Sequence, residues 1–305
     1  MTDRPTAVLI AGPTASGKSA LAIEIARRTG GAIVNADSMQ VYDGLRIVTA
    51  RPGQADLMLA EHCLYGHVDP GEAWSVARWL GDVGSLLDRL DRKGRPAIFV
   101  GGTGLYFSAL ERGLSQIPAP VEAIRQHWRS VAAAAPGTLH EELARRDPVG
   151  ASALVAGDVQ RLVRALEVID STGLPIHHWR RIGRQEALLA GRKVQRFILE
   201  PPRMLLHERI GRRFDAMIAE GAIDEVAAFL QRRDLRPDLP VMKAIGLREL
   251  GEFIRGNSAL EAAAERAKAA TRQFAKRQST WFRGQFDSSW MRSEEARLIA
   301  RATET

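Results

Sequence analysis

The chain has 305 residues, of which 45% are hydrophobic and 26% charged, with a net charge of +7, a pI near 10.0 and a single cysteine. These are the proportions of a globular protein of roughly two domains. They exclude an internal disulfide or a cysteine metal set, since Cys63 has no second thiol, and no run approaches the roughly 18 apolar residues a membrane-spanning helix needs.

The first segment, Thr6 to Ala11 (TAVLIA), is a short apolar run that reads as a buried parallel strand rather than a secretion signal, and a cytoplasmic protein is expected. It feeds GPTASGKS, residues Gly12 to Ser19, a full match to the phosphate-cradling pattern G-x-x-x-x-G-K-[ST]. Lys18 to Arg28 follows with Leu21, Ala22, Ile25 and Ala26 at helical spacing, and Thr29-Gly30-Gly31 stops the helix. Ala32 to Ala36 predicts a second strand ending at Asp37, AIFVGG from Ala97 a third running into Thr103, and Val194 to Leu199 a fourth closed by Pro201-Pro202. Strands separated by helices predict an α/β, doubly wound parallel sheet. Between the third and fourth strands the pattern is helical only, which predicts an all-helical insertion over 116–194 in a core made of 1–115 and 195–305. Beyond Pro202 helices are expected from Met204 to about Arg232 and from Ser258 to about Arg283.

In such a loop the backbone N–H groups of Ala15 to Ser19 point at phosphate oxygens, Lys18 supplies a point charge, and the Ser19 hydroxyl can ligate Mg²⁺. The AIFV strand ends in Gly101-Gly102-Thr103 with no carboxylate, which weakens an ATPase reading and leaves a small-metabolite or nucleoside kinase open. Asp37, Thr103 and the glycine loop converge if the strand order is of the usual kind. Asp37 is then placed as a general base or a water-mediated Mg²⁺ holder, or it simply caps the turn at Ser38.

Basic residues gather in two stretches, one with Arg180, Arg181, Arg184, Arg192, Lys193 and Arg196, the other from Arg266 to Arg283. On the last helix Lys268, Arg272, Lys276 and Arg283 are expected on one face, opposite Leu260, Ala263, Ala267, Ala270, Phe274 and Trp281. With few acids after Glu265, that face suits a nucleic-acid backbone as well as a solvated surface. Arg209 and Arg213, at i and i+4, suit an anion clamp or solvent equally. His177-His178 and His62-Cys63 lack partners at metal-ligand spacing.

Taken in order, GPTASGKS, NADSMQVYDGL with TARP, VGGTGLYFSAL, GDVQRLVRALEV, LLHERIGRRFDAM, KAIGLREL and ATRQFAKRQSTWFR resemble the tRNA dimethylallyltransferases, also called tRNA isopentenyltransferases, along most of the chain. The resemblance implies a P-loop-kinase-like core with an inserted helical domain that grips the tRNA anticodon stem-loop. It implies transfer of a dimethylallyl group from dimethylallyl diphosphate to N6 of the adenosine 3′ of the anticodon, with Mg²⁺; the sequence leaves the oligomeric state open, with a monomer as the default expectation. Carried over residue by residue, Gly12, Pro13, Thr14, Ala15, Ser16, Gly17, Lys18 and Ser19 would hold the diphosphate, with Arg213 facing it. Asp37 would take the amine proton and Thr103 would place the base. Asp37, Ser38, Met39, Gln40, Thr103, Arg125, Gln160, Arg161, Leu162, Val163, Arg164, Lys276, Arg277 and Arg283 would contact tRNA. The chain departs from the family pattern at Arg46, Val48, Arg78 and Leu247, which bears on loop geometry and on tRNA contacts near Leu247.

Overall fold

The computed structural model describes residues 7–183 and 185–295; Thr6, expected to open the first strand, and Arg184 of the basic stretch lie outside them. Six strands form one parallel sheet: β1 (Ala7–Ala11), β2 (Ala32–Asn35), β3 (His62–Cys63), β4 (Ala97–Gly101), β5 (Val194–Leu199) and β6 (Met291–Ser293). Their order is β3-β2-β4-β1-β5-β6. The chain moves to one side of β1 for β2 to β4 and to the other side for β5 and β6. The reversal at β1 and β4 is the topological switch point, where an open parallel sheet forms its ligand crevice.

β1 and β4 are buried at every position because helices cover both faces of the sheet. Val8, Ile10, Ile98 and Val100 meet Leu21, Ala22, Ile25 and Ala26 of the helix Lys18–Thr29. On the other face Phe99 lies edge-on to Trp79 of the helix Val76–Asp91, with ring centroids 6.4 Å apart, and Trp79 Nε1 donates to Asn35 O at 3.0 Å. Each such large side chain contributes about 1.5–3 kcal/mol by leaving water. Helix Lys18–Thr29 ends at Gly30, whose φ of 68° is the left-handed cap that glycine adopts at least cost.

Arg112–Ala187 forms a second compact unit, and the rest of the described chain the first. Its limits differ from the expected 116–194. Gln185 N donates to Leu114 O at 2.8 Å, so the residues just after 111 pair within the helical unit. Leu189 is buried and donates to Leu110 O, and Arg192 makes a two-pronged pair with Asp91, so the residues from 188 onward belong to the sheet unit. The helical unit contains the helices Glu122–Ala134, Leu139–Arg146, Pro148–Ser152, Val159–Thr172 and Ile176–Ile182. They close on a core of Trp128, Leu139, Leu143, Ala151, Leu162, Ala165 and Leu166. Trp128 finishes its polar edge by donating to Asp170 at 2.7 Å.

Leu162 is therefore a core residue at 0% exposure, and it does not face a polyanion as the motif carry-over expected. Leu162→Ala is expected to destabilise the helical unit by about 2–5 kcal/mol, a cavity cost read as a shifted denaturant midpoint. A change under about 0.5 kcal/mol, typical of surface sites, would contradict its placement.

After β5 the expected Met204–Arg232 helix is two, Arg203–Ala219 and Ala222–Leu230, parted at Gly221 with φ 104°. The last helix, Leu260–Gln285, buries Ala263, Ala264, Ala267, Ala275, Gln278 and Phe282. That stripe is rotated from the expected apolar face: Ala270, Phe274 and Trp281 are only half-buried, whereas the amide of Gln278 is inside.

Candidate active site

The loop between β1 and the helix Lys18–Thr29 is shaped by backbone that few residues tolerate. A Cβ at Gly12 would lie 2.6 Å from Leu199 O and 2.8 Å from Ser16 Oγ, so only glycine fits there. Ala15 and Gly17 take positive φ of 63° and 99°, which shapes the turn at the helix N-terminus, and within it Ser16 N–H donates to Pro13 O at 3.2 Å, so that amide is not free for an anion. Ser16 Oγ is buried with no hydrogen-bond partner among the described residues, an unused donor inside the loop.

A cavity of about 280 Å³ opens over this loop, lined by Ala15, Gly17, Lys18, Ser19, Arg209 and Arg213. Three cations thus crowd one hollow. Lys18 as a residue is half-buried, and the crowding of its ammonium by protein lowers its pKa to about 8; Asp37 opposes that shift and Arg213 adds to it. Burial also lowers Arg213, again opposed by Asp37. Both groups gain from a bound anion. Arg209 is committed differently, donating from Nη1 to Ser16 O at 3.1 Å and so bracing the loop. Lys18 Nζ donates to Pro13 O at 3.1 Å.

The sign of the pH effect follows from the Lys18 shift. Below about pH 8 the ammonium is charged and attracts a diphosphate; above it the free protein loses that charge, whereas a bound diphosphate would hold the proton on. Affinity for pyrophosphate is therefore expected to fall as pH rises through about 8. Calorimetric titration across that range checks it, and a flat affinity up to the usual lysine range near 10.4 would refute it.

Asp37 follows β2 and does two things. Its Oδ1 accepts Met39 N–H at 2.9 Å, the turn-capping contact, and its Oδ2 makes no hydrogen bond among the described residues. A Cβ at Gly102 would lie 3.5 Å from that Oδ2, so the free oxygen is turned to the β4 loop. The Met39 contact is the turn-capping one, and it engages one carboxylate oxygen only. Thr103 follows β4, and its Oγ1 accepts Ser38 N–H at 3.0 Å and lies 3.3 Å from Ser38 Oγ. Gln40 Nε2 donates to Thr49 O and Ala50 O, at 2.8 and 3.0 Å, which holds the strained Ala50 turn (φ 54°). Glu225 accepts from Ile47 N and Val48 N at 2.8 and 2.9 Å, fixing the segment that contains Arg46 and Val48, two of the departures from the resembled pattern.

Further side chains surround Asp37. Burial pushes the phenols of Tyr65 and Tyr106 well up, and the Asp37 carboxylate adds to the shift in each, so both are neutral neighbours. Gln278, from the last helix, also reaches the loops on this side of the sheet.

The basic positions divide. Lys276 and Arg277 are exposed, with Arg277 over the Phe274 ring at 5.7 Å. Arg283 is exposed but pairs with Glu200 at 3.1 Å, and Lys268 pairs with Asp215 at 2.7 Å, so this face is not as free of acids as local sequence suggests. In the helical unit Gln160 and Arg161 are exposed, Val163 packs partly on the core, Arg164 lies 3.6 Å from Glu167, and Arg125 lies 3.5 Å from Glu122. Leu247 is buried, and Arg78 stacks on Trp74 while pairing with Glu72. Burial raises the Cys63 thiol to about 11. No group of three potential metal-ligating side chains gathers among the described residues.

A glycine-rich turn carrying Lys18 and Ser19, with a carboxylate nearby beyond the end of β2, stands at the switch point of a parallel sheet, the place and make-up of an α/β enzyme site. The family profile described as IPP transferase matches residues 40–285, and the one described as isopentenyl transferase matches residues 5–64. The chain is 47% identical to the tRNA dimethylallyltransferase of Rhizobium meliloti and 49% identical to that of Chelativorans sp.; the first alignment covers 95% of each chain, the second 93% of this chain and 97% of the relative. It superposes with TM-score 0.69 at 31% identity on a full-length tRNA isopentenylpyrophosphate transferase from Bacillus halodurans, covering 99% of this chain and 95% of the other. A eukaryotic dimethylallyltransferase acting on tRNA matches with TM-score 0.74 at 26% identity, over 90% of this chain and 69% of that one. The chain belongs to the IPP transferase family, and its fold is the P-loop-kinase-like one of the tRNA isopentenyltransferases.

Proposed function

We propose that this protein transfers a dimethylallyl group from dimethylallyl diphosphate to N6 of the adenosine next to the anticodon on its 3′ side in tRNA, releasing diphosphate. The observation that carries the reading is the cationic cavity of Lys18, Arg209 and Arg213 with Asp37 felt by two of the three.

An exocyclic adenine amine is a poor nucleophile because its lone pair is delocalised into the ring. Asp37 Oδ2 accepts its proton as N6 bonds to the allylic carbon and the carbon–oxygen bond to diphosphate breaks. The charge that develops on the leaving oxygens meets Lys18, Arg213, the loop amides of Ala15, Gly17, Lys18 and Ser19 and the Ser16 hydroxyl. Such preorganised donors are worth about a hundredfold or more in rate each. Mg²⁺, held by the exposed Ser19 hydroxyl together with diphosphate oxygens and water, would neutralise further charge; a hard cation bound mainly through its substrate needs no carboxylate cage. The lack of an acid at the end of β4 fits a loop that grips a leaving group rather than one that organises attack on phosphorus.

The base has to leave its stack to reach this crevice, at about a few kcal/mol. Phosphate contacts from Arg125, Gln160, Arg161, Arg164, Lys276, Arg277 and Arg283 would offset that, alongside Ser38, Met39, Gln40, Val163 and Thr103 near the loop bases, with the helical unit serving as the tRNA-binding domain. Binding should then weaken steeply with salt. The reading includes a cytoplasmic monomer.

Incubation with labelled dimethylallyl diphosphate, unmodified tRNA and Mg²⁺ is expected to place the label on tRNA. Label that stays on the donor, with ATP consumed instead, would overturn the reading in favour of a kinase.

A further inference from the structure

Gln278 is 5% exposed in the middle of the buried stripe of helix Leu260–Gln285, where an apolar side chain would normally sit. A buried amide is costly unless both of its ends are bonded, and here both are. Its Oε1 accepts Thr14 N–H at 2.9 Å and its Nε2 donates to Gly102 O at 2.9 Å. The β1–β4 ladder ends at the pair Ala11↔Gly101, so this side chain continues the cross-link just beyond the last paired residues of the two strands. The fit is tight, since a Cβ at Gly102 would lie 2.0 Å from Nε2. The helix is held in place nearby by the buried Phe282 and by Trp281, whose ring lies where a side chain on Gly104 would be.

We propose that Gln278 is a positioning residue that ties the diphosphate loop, through Thr14, to the loop carrying Thr103, through Gly102, and so sets the spacing between leaving group and nucleophile. The inference rests on the function proposed above. Thr14 stands in the loop that grips the donor. Gly102 precedes Thr103, whose hydroxyl holds the Ser38 backbone beside Asp37. Neither loop is fixed to the other by strand pairing at these residues, so the amide is a direct strut across the crevice. Reacting atoms have to approach within about 3–3.5 Å in line, and a misplacement of about 1 Å costs about a hundredfold. An acidic or apolar side chain cannot supply one donor and one acceptor together at neutral pH, which explains an amide at this point.

The test is single-turnover transfer at saturating substrates by Gln278→Met and Gln278→Glu, beside the melting temperature and the affinities for tRNA and for Mg²⁺-pyrophosphate. Gln278→Met keeps the volume and removes both bonds; its rate is expected to fall about 10–100-fold, with both affinities within about threefold of wild type, the split expected when only transition-state alignment is lost. Gln278→Glu is the discriminating variant. Protonated, its carboxyl offers one donor and one acceptor as the amide does; ionised, it offers only acceptors, one of them against Gly102 O. With Asp37 Oδ2 turned to the same loop, ionisation is disfavoured. The rate of Gln278→Glu relative to wild type is expected to rise as pH falls from about 8 to about 6. A packing role would shift melting without giving this variant a pH profile of its own. Wild-type rates in Gln278→Met, or a wild-type pH profile in Gln278→Glu, would overturn the proposal. A wild-type protein that moves no label to tRNA overturns the underlying reading and the strut with it, which is a different result from either variant outcome.

Discussion

Asp37→Asn is expected to lower the single-turnover rate by about two to four orders of magnitude, the range for removal of a general base, with tRNA affinity little changed. Asparagine is the sharper substitution because its amide oxygen can still accept Met39 N–H, so the turn that Asp37 caps survives. What is lost is the second oxygen, the one with no hydrogen bond among the described residues and turned to the β4 loop. Asp37→Ala removes both and should add an instability of about 1 kcal/mol from the lost cap. A parallel fall in tRNA affinity and rate for Asp37→Asn would assign the residue to binding instead.

Lys18→Met is expected to cost about 10²–10³ in rate, the scale of one preorganised donor on a developing oxyanion. Its signature is distinct from that of Asp37. Affinity for pyrophosphate should fall as well, because the ammonium meets the charge already present in the bound donor and more of it as the bond breaks. Folding should not suffer, since the protein environment itself disfavours the Lys18 charge, as the depressed pKa records. A function-bearing group that strains its surroundings is a common trade in active sites. If melting dropped sharply and pyrophosphate affinity held, the lysine would be a structural tie rather than a catalytic cation.

Much of the sheet is legible in the sequence for a plain reason. Strands buried on both faces read as short apolar runs, as β1, β2 and β4 do, and β5 is marked by its apolar second half before Pro201-Pro202; the glycines that stop the first helix mark its end at Gly30. β3 has two residues and β6 three, too few for any period to emerge, and Met291 and Arg292 are exposed. The boundary of the helical unit is set by contacts such as Leu189 with Leu110, made by residues far apart in sequence. Treating Gln160 to Arg164 as one binding block overlooks helical geometry, which turns Leu162 inward while Gln160 and Arg161 stay out. Lys18, Asp37 and Thr103 stand out in the sequence as candidates because motif and strand-end position coincide on them. Gln278 and the brace from Arg209 were not assigned, since their partners, Thr14, Gly102 and Ser16, lie more than 170 residues away.

The contact between Lys18 and the Pro13 carbonyl shapes what happens between turnovers. When the anion departs, the ammonium has a resting berth on a neutral oxygen of its own loop. Departure of product therefore exchanges one partner for another instead of stranding a buried cation, and arrival of the next donor finds the lysine already oriented.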